Sequence, residues 1–400
     1  MTRFVAFGLL LVLAFGTSAA AQPMAADPFA SPNLLVTRDR LDAVQAAVAA
    51  GDPLMIAARQ QVLDQAQGFL ARDPDPIVGP LKVPGFYTKE KETQRAIARR
   101  LRGDAWGAYC LALAGALTGE ERYLAAAERY LFAWVDSLTR PERWGKGLIN
   151  RAGDTAIVSS YSLPNFCFAY DLLRGQGRID AAEEARFSTW LRRFVEFHDH
   201  RALFRNNHDT WRVLFRLCAA HVLGDAGLFA RSLDDYRATF RAQVGRKGAM
   251  WRELVRGKKA ATYTLMNLEA MVQIVHIAEG HGVNDLRDLK PRGATLRDAI
   301  LRLVSFVEDP KSWSRHRWLT WNKRLNGPAH PAEWGYVFEV PAAWWGDARY
   351  SPLIAGAPYG LTPPRSYTLG FATLLFRPIQ PRTPAGGAAA TLSGSTPGSP

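Results

Sequence analysis

The chain has 400 residues, of which 48% are hydrophobic and 22% charged, enough apolar material for a large core and too much for a globally disordered chain. Its formal net charge of +13 favours anionic partners, because such a field concentrates negative ligands and speeds their arrival. Three cysteines without a Cys-x-x-Cys spacing exclude a disulfide framework or a zinc site and read as buried free thiols.

The first residues predict export. Arg3 precedes the apolar run Phe4–Gly16, and small residues follow before a cleavage point near Ala21. This is the pattern of a secretory signal peptide over 1–21, with the apolar run too short to span a bilayer. The mature protein is therefore expected to be periplasmic or secreted, without stable membrane insertion, and monomeric. For an exported chain nucleic acid is a poor candidate ligand; no basic zipper, zinc-finger spacing or aromatic RNA-binding motif is present. Acidic polysaccharide or a membrane surface remains.

After a short linker, 22–31, helical periods dominate. Asp104–Gly119 is apolar nearly all round, whereas Tyr123–Leu138 carries one stripe (Tyr123, Ala127, Tyr130, Leu131, Trp134), the 3.6-residue period of an amphipathic helix. This alternation of an inner and an outer helix recurs. Leu163–Leu173 is followed by Ala182–His198, and Asp209–Gly224 and Leu265–Gly280 read as further helices. The charged run "RAIARRLRGD" reads as a solvated helix face. The only short strand candidates are "TYTLMN" and "GYVFEV". One domain is expected over 32–378, with six tryptophans between Trp313 and Trp345 that either pack its last helices or stack on sugar faces in a groove, and a disordered Pro/Gly/Ser/Thr-rich tail over 379–400.

Two constellations carry chemistry. In "FRNNHDTWRVLF", one of Asn206, Asn207 and Asp209 suffices to cap the following helix; the remaining amide and the imidazole of His208 exceed what a cap needs. In "WRELVRGKKAATY", the cations Arg252, Arg256, Lys258 and Lys259 precede Tyr263. Nearby cations favour the phenolate, and lowering a tyrosine's pKa by about two units takes roughly 2.7 kcal/mol of differential interaction. His198 and His200 lack further clustered ligands, and His221 reads as a core histidine.

Together, "NNH" before a Trp-containing helix and the Arg256-(x)6-Tyr263 pair resemble the alginate lyase family of polysaccharide lyases, as do "LALAGALTG" and the loop "KVPGFYTKEK". The resemblance covers about 32–280. It implies an all-α fold, an incomplete α/α toroid of antiparallel helical hairpins, and cleavage of a 1,4-linked polyuronate such as alginate or glucuronan by β-elimination. It further implies that Asn207, His208 and Arg256 neutralise the uronate carboxylate and that Tyr263 exchanges protons at C5 and the glycosidic oxygen. Either Tyr263 does both, or His208 is the base and Tyr263 the acid. Tyr87 and Lys89 fall in the place of a lid over bound sugar. Asn206, Arg252, Lys259 and Trp211 are further candidate substrate contacts. No metal or cofactor is called for. The alternatives are a non-catalytic acidic-polysaccharide binding or export protein, and a uronyl or glycoside hydrolase, which needs two flanking carboxyl groups; Asp154, Asp209 and Glu253 are available.

Overall fold

In a computed structural model, residues 29–144, 153–199, 204–256, 259–308 and 333–379 are described. The signal peptide and most of the linker and tail lie outside them, as do His200, Lys258 and three of the clustered tryptophans.

Helix follows helix: α1 (Arg38–Ala49), α2 (Pro53–Leu70), α3 (Lys91–Thr118), α4 (Glu121–Ser137), α5 (Thr155–Gly175), α6 (Ala181–His198), α7 (Asn207–Val222), α8 (Ala226–Gln243), the short α9 (Trp251–Leu254), α10 (Ala260–Gly280) and α11 (Leu296–Glu308). Two short helices, α12 (Glu339–Trp345) and α13 (Ala372–Phe376), follow in the C-terminal segment. Helices α3, α5, α7 and α10 pack side by side in that order, with α4 against α3 and α8 against α7, an all-α toroid of hairpins. Sequence dictates the layering. From Ile157 to Leu173, α5 buries every residue, and α7 buries all but His208. The outer helices bury one stripe each, such as Phe187, Trp190, Leu191 and Phe194 on α6.

The C-terminal segment closes the ring against α1, α2 and α3. Gln61 and Gln65 of α2 donate to the Pro358 and Gly360 carbonyls (2.9 and 2.7 Å), Arg40 donates to Leu374 O, and Phe371 stacks on Trp106 at 5.0 Å. Cys110, Cys167 and Cys218 are buried free thiols. His221 is a satisfied core group, between Asp171 and His281 at 2.9 Å each. Among the described residues, no single helix is long and apolar enough to cross a membrane.

Three local expectations are corrected. Both strand candidates are helical: Thr262–Asn267 lies in α10 and Gly335–Val340 in a 3-10 turn running into α12. The strands lie instead at β1 (Gly79–Lys82) and β2 (Leu138–Glu142), paired in parallel from Gly79 against Leu138. At four and five residues, with no clean alternation in burial, they are too short to carry a period. Helix α5 begins eight residues before Leu163 and runs through Pro164. Its first turns are rich in serine, but Ser159 and Ser160 hydroxyls donate back to the Thr155 and Ile157 carbonyls (2.7 and 3.0 Å), and tertiary burial overrides their propensity.

Candidate active site

A cleft of about 570 Å³ opens where the N-terminal portions of α3, α5, α7 and α10 meet. Each inner helix contributes from its start: Arg95, Arg99 and Arg102 from α3, Ile157 and Tyr161 from α5, Asn207 and His208 from α7, and Thr262, Tyr263 and Met266 from α10. The positive ends of the helix dipoles thus converge on one space, an arrangement that favours an anion.

The first turn of α7 is built by its own polar residues. Asn206 is the cap, its Oδ1 accepting from the His208 N–H at 3.1 Å. Asp209 accepts from the Phe204 and Arg205 N–H groups (3.0 and 2.6 Å), supporting Arg205 at φ +50°, where a side chain other than glycine is strained. The cap role therefore falls to Asn206, and Asn207 and His208 are left to face the cleft. Burial, helped by the charge of Arg256, pushes His208 down to about 4, so its imidazole is neutral at pH 7.

Arg256 and Tyr263 are brought together, but not as a guanidinium on a phenolate. The Arg256 guanidinium lies 4.1 Å from the Tyr263 ring centroid, a cation–π contact. Burial, then the hydrogen bond and charge of Tyr87, raise the Tyr263 phenol well above its ordinary value, and Arg256 only partly opposes them. The expectation of a lowered Tyr263 is therefore corrected: desolvation outweighs the cation. Tyr87 is 73% exposed and reaches over the cleft, its hydroxyl 3.3 Å from that of Tyr263 and 3.3 Å from Lys259 Nζ. Burial pushes Tyr87 up, but hydrogen bonds from Tyr263 and Lys259 outweigh it, and its phenol titrates below the usual value. The loop bearing Tyr87 is pinned to the start of α5, where Asp154 accepts from the Phe86 N–H and Thr155 Oγ1 from the Val83 N–H (both 2.9 Å).

Of the remaining candidates, Lys259 lines the cleft, whereas Asn206, Lys89 and Arg252 do not. Asn206 is spent on the cap, and Lys89 and Arg252 point to solvent. Trp211 is 0% exposed and packs edge-on against Tyr161 and Tyr367 (6.5 and 5.6 Å between centroids), backing two cleft tyrosines. Its apolar neighbours at helical spacing place it in the core.

Sequence reasoning missed a whole wall. The run read as a solvated face supplies Arg95, Arg99 and Arg102, with Arg102 lying 5.9 and 5.6 Å from the Tyr161 and Tyr367 ring centroids. Their spacing of four and three residues, with Ala98 between them, marks one helix face and was the available signal. Trp334, Tyr336 and Arg365 of the C-terminal segment also line the cleft. Glu253 was offered only to a hydrolase; it is buried beneath Asn207, accepting its backbone N–H at 2.6 Å.

Among the described residues, no cluster of His, Cys, Asp and Glu is arranged to hold a metal ion. The sequence profile of the alginate lyase family matches residues 79–313. The chain belongs to the alginate lyase family. Membership makes it a polysaccharide lyase, and the match spans β1 through α11, the elements that carry the cleft from Tyr87 to Tyr263. No curated protein matches the chain significantly. Among solved structures, an alginate lyase from Bacteroides ovatus superimposes with a TM-score of 0.70 at 17% identity, covering 86% of this chain and 99% of that one. Alginate lyase A1-III from Sphingomonas species A1 gives 0.64 at 18%, covering 88% and 97%. A variant of that enzyme complexed with a tetrasaccharide gives 0.66 at 17%, covering 89% and 97%. At these identities the likeness concerns the fold.

Proposed function

We propose that the protein cleaves a 1,4-linked polyuronate, alginate first among them, by β-elimination, with Asn207, His208, Arg256 and Tyr263 as its catalytic residues. The observation that carries this reading is their convergence, from two helix starts and the turn between α9 and α10, on one cation-rich cleft. In the reaction a base removes the C5 proton, the C5–H electrons form the C4=C5 double bond, the C4–O bond breaks, and an acid protonates the departing oxygen. Charge develops on the neighbouring carboxylate, so donors and cations placed beforehand lower the barrier. Arg256 and the helix starts supply that field.

Neutral His208 is available as a base at pH 7, and the raised Tyr263 phenol is supplied with its proton, which suits the general acid. Where base and leaving oxygen lie on the same face of the sugar, Tyr263 serves both steps. The tilted pair Tyr161 and Tyr367 (4.5 Å between ring centroids) gives a sugar-packing wall, and the α3 arginines meet successive carboxylates. The three carboxyl groups offered to a hydrolase each hold structure: Asp209 holds its loop, Glu253 holds Asn207, and Asp154 anchors the Tyr87 loop. We further propose that the chain is exported on its first 21 residues and acts as a periplasmic or secreted monomer. Fractionation of cells and sizing of the mature protein would test this.

The main test is to incubate the protein with mannuronate-rich and guluronate-rich alginate and with glucuronan, and to follow near-ultraviolet absorbance of the unsaturated product. Tyr263→Phe and His208→Ala should abolish the signal while the protein remains folded. New reducing ends without absorbance would show hydrolysis instead, binding without either signal would show a non-catalytic protein, and near-wild-type rates in both variants would overturn the site.

A further inference from the structure

Asn207 opens α7, its side chain fully buried and the residue on the cleft wall. Its amide is oriented by one neighbour. Nδ2 donates to both oxygens of Glu253 (3.0 and 3.1 Å), while the Asn207 backbone N–H donates to Oε1 at 2.6 Å. Glu253 is itself 1% exposed. The other end of the amide, Oδ1, is buried and accepts no hydrogen bond among the described residues. Thus the donor end of Asn207 is held by Glu253 and the acceptor end is left without a donor among the described residues. A uronate carboxylate offers only acceptor oxygens, so it cannot be met by this face of the amide.

We propose that Glu253 is a positioning residue that takes up a proton when a uronate carboxylate binds, and that this proton reverses the Asn207 amide so that Nδ2 donates to the substrate. The inference rests on the reading that Asn207 meets the carboxylate. Protonated Glu253 keeps Oε1 as the acceptor for the Asn207 N–H and gains Oε2–H, which donates to Asn207 Oδ1 once the amide has turned. One O–H bond forms, the proton comes from solvent, and it returns there on release. The negative charge brought by the sugar is thereby offset at a buried site beneath the amide.

The surroundings allow the exchange. From the turn that follows its own helix Glu253 is acted on by Arg256; from α7 it meets Asn207, whose titratable neighbour His208 is uncharged above about pH 4; from α10 it meets Asn267, 3.5 Å from Oε1. Burial outweighs both the Asn207 hydrogen bonds and the Arg256 charge, and raises the Glu253 carboxyl to about 6. The backbone around Asn207 stays fixed while the amide turns, because Gln243 ties the Asn206 carbonyl (2.7 Å) to Thr210 Oγ1 and to Asn267.

The test uses Tyr263→Phe protein, a tetrauronate and titration calorimetry in buffers of different ionisation enthalpy. Near one proton should be taken up per saccharide at pH 8, and Kd should weaken about tenfold per pH unit above about 6. Adding Glu253→Gln, whose amide donates permanently to Oδ1 while its oxygen accepts the N–H, should abolish the uptake, flatten the pH dependence and tighten binding at pH 8. Unchanged uptake and slope in that variant would overturn the inference. Should Glu253→Gln fail to fold, infrared difference spectra of protein retaining Glu253 must gain a protonated-carboxyl band on saccharide binding; its absence overturns the inference equally. Asn207→Ala separates the two readings. If it leaves Kd unchanged, Asn207 does not meet the carboxylate; if it weakens binding while proton uptake persists in Glu253→Gln, only the role of Glu253 fails.

Discussion

Replacing Glu269 probes how the C-terminal segment is held in the cleft. This carboxylate on α10 is fully buried, and its Oε1 accepts from the Ser366 hydroxyl (3.0 Å) and from the backbone N–H groups of Tyr367 and Thr368 (2.7 and 2.8 Å). Its Oε2 accepts from the Tyr336 hydroxyl at 2.9 Å. Glu269→Ala strands the Tyr367 and Thr368 N–H groups in the interior, at about 1–3 kcal/mol each, and leaves a void, so a loss of roughly 4 kcal/mol is expected. Glu269→Gln retains the oxygen that faces the backbone and gives up a charge that burial already disfavours, since the Glu269 carboxyl is pushed above its ordinary value. It should cost no more than about 1–2 kcal/mol. Urea denaturation gives the stabilities, and KM on alginate reports whether Tyr367 and Arg365 still present themselves to the sugar. Equal losses in the two variants would refute the argument, because only the alanine removes the acceptor.

Three further outcomes follow from the same geometry. Arg99→Ala and Arg102→Ala should each raise KM severalfold and flatten its dependence on salt while leaving the melting temperature within a few degrees, read from kinetics at two ionic strengths. His208 and His276 are both held down to about 4 by burial, so the folded state resists their protonation; stability should be complete above pH 6.5 and fall as pH drops towards 4, by up to about 3 kcal/mol per histidine, and His208→Gln should reduce the loss in denaturation curves. Gly153 has φ +69°, and a Cβ there would collide with the Val83 carbonyl and the Trp144 side chain; Gly153→Ala should cost about 2 kcal/mol or more in thermal unfolding and raise KM by loosening the Tyr87 loop.

The helices were legible because burial differs between layers: the near-continuous apolar runs of α3 and α10 and the striped α6 write their positions into the composition. The cleft lining was legible where polar residues concentrate in sequence, at Asn207, His208, Arg256 and Tyr263. It was not legible where the cleft depends on which face of a charged helix turns inward. Arg95 and Arg99 are indeed exposed, but only the packing of the start of α5 and the C-terminal segment beside them and Arg102 turns that exposed face into a cleft wall. Trp211 failed as a substrate contact for the opposite reason, since nothing local distinguishes a ring in the cleft from a ring directly behind it. The ionisation of Tyr263 was misjudged because counting nearby cations omits desolvation, the larger effect here.

That ionisation gives Tyr87→Phe unusual resolving power. After burial, the largest effects that raise Tyr263 are the hydrogen bond and the charge of Tyr87, with a smaller one from Tyr367 and with Arg256 opposing them. Removing the Tyr87 hydroxyl deletes both Tyr87 contributions and leaves burial and Tyr367 against Arg256, so the Tyr263 pKa must fall. The profile of kcat/KM against pH reports ionisations of the free enzyme, and the affected limb identifies the role. If Tyr263 removes the C5 proton it must first be deprotonated, activity climbs with pH towards its pKa, and Tyr87→Phe moves a rising limb to lower pH. If His208 is the base and Tyr263 the acid, activity falls as pH passes the Tyr263 pKa, and the substitution moves a falling limb to lower pH. A lost sugar contact alone would scale the whole profile without displacing it. A profile that superimposes on wild type after scaling would therefore sever Tyr87 from Tyr263, and with it the argument that the hydroxyl contact of 3.3 Å tunes the reaction.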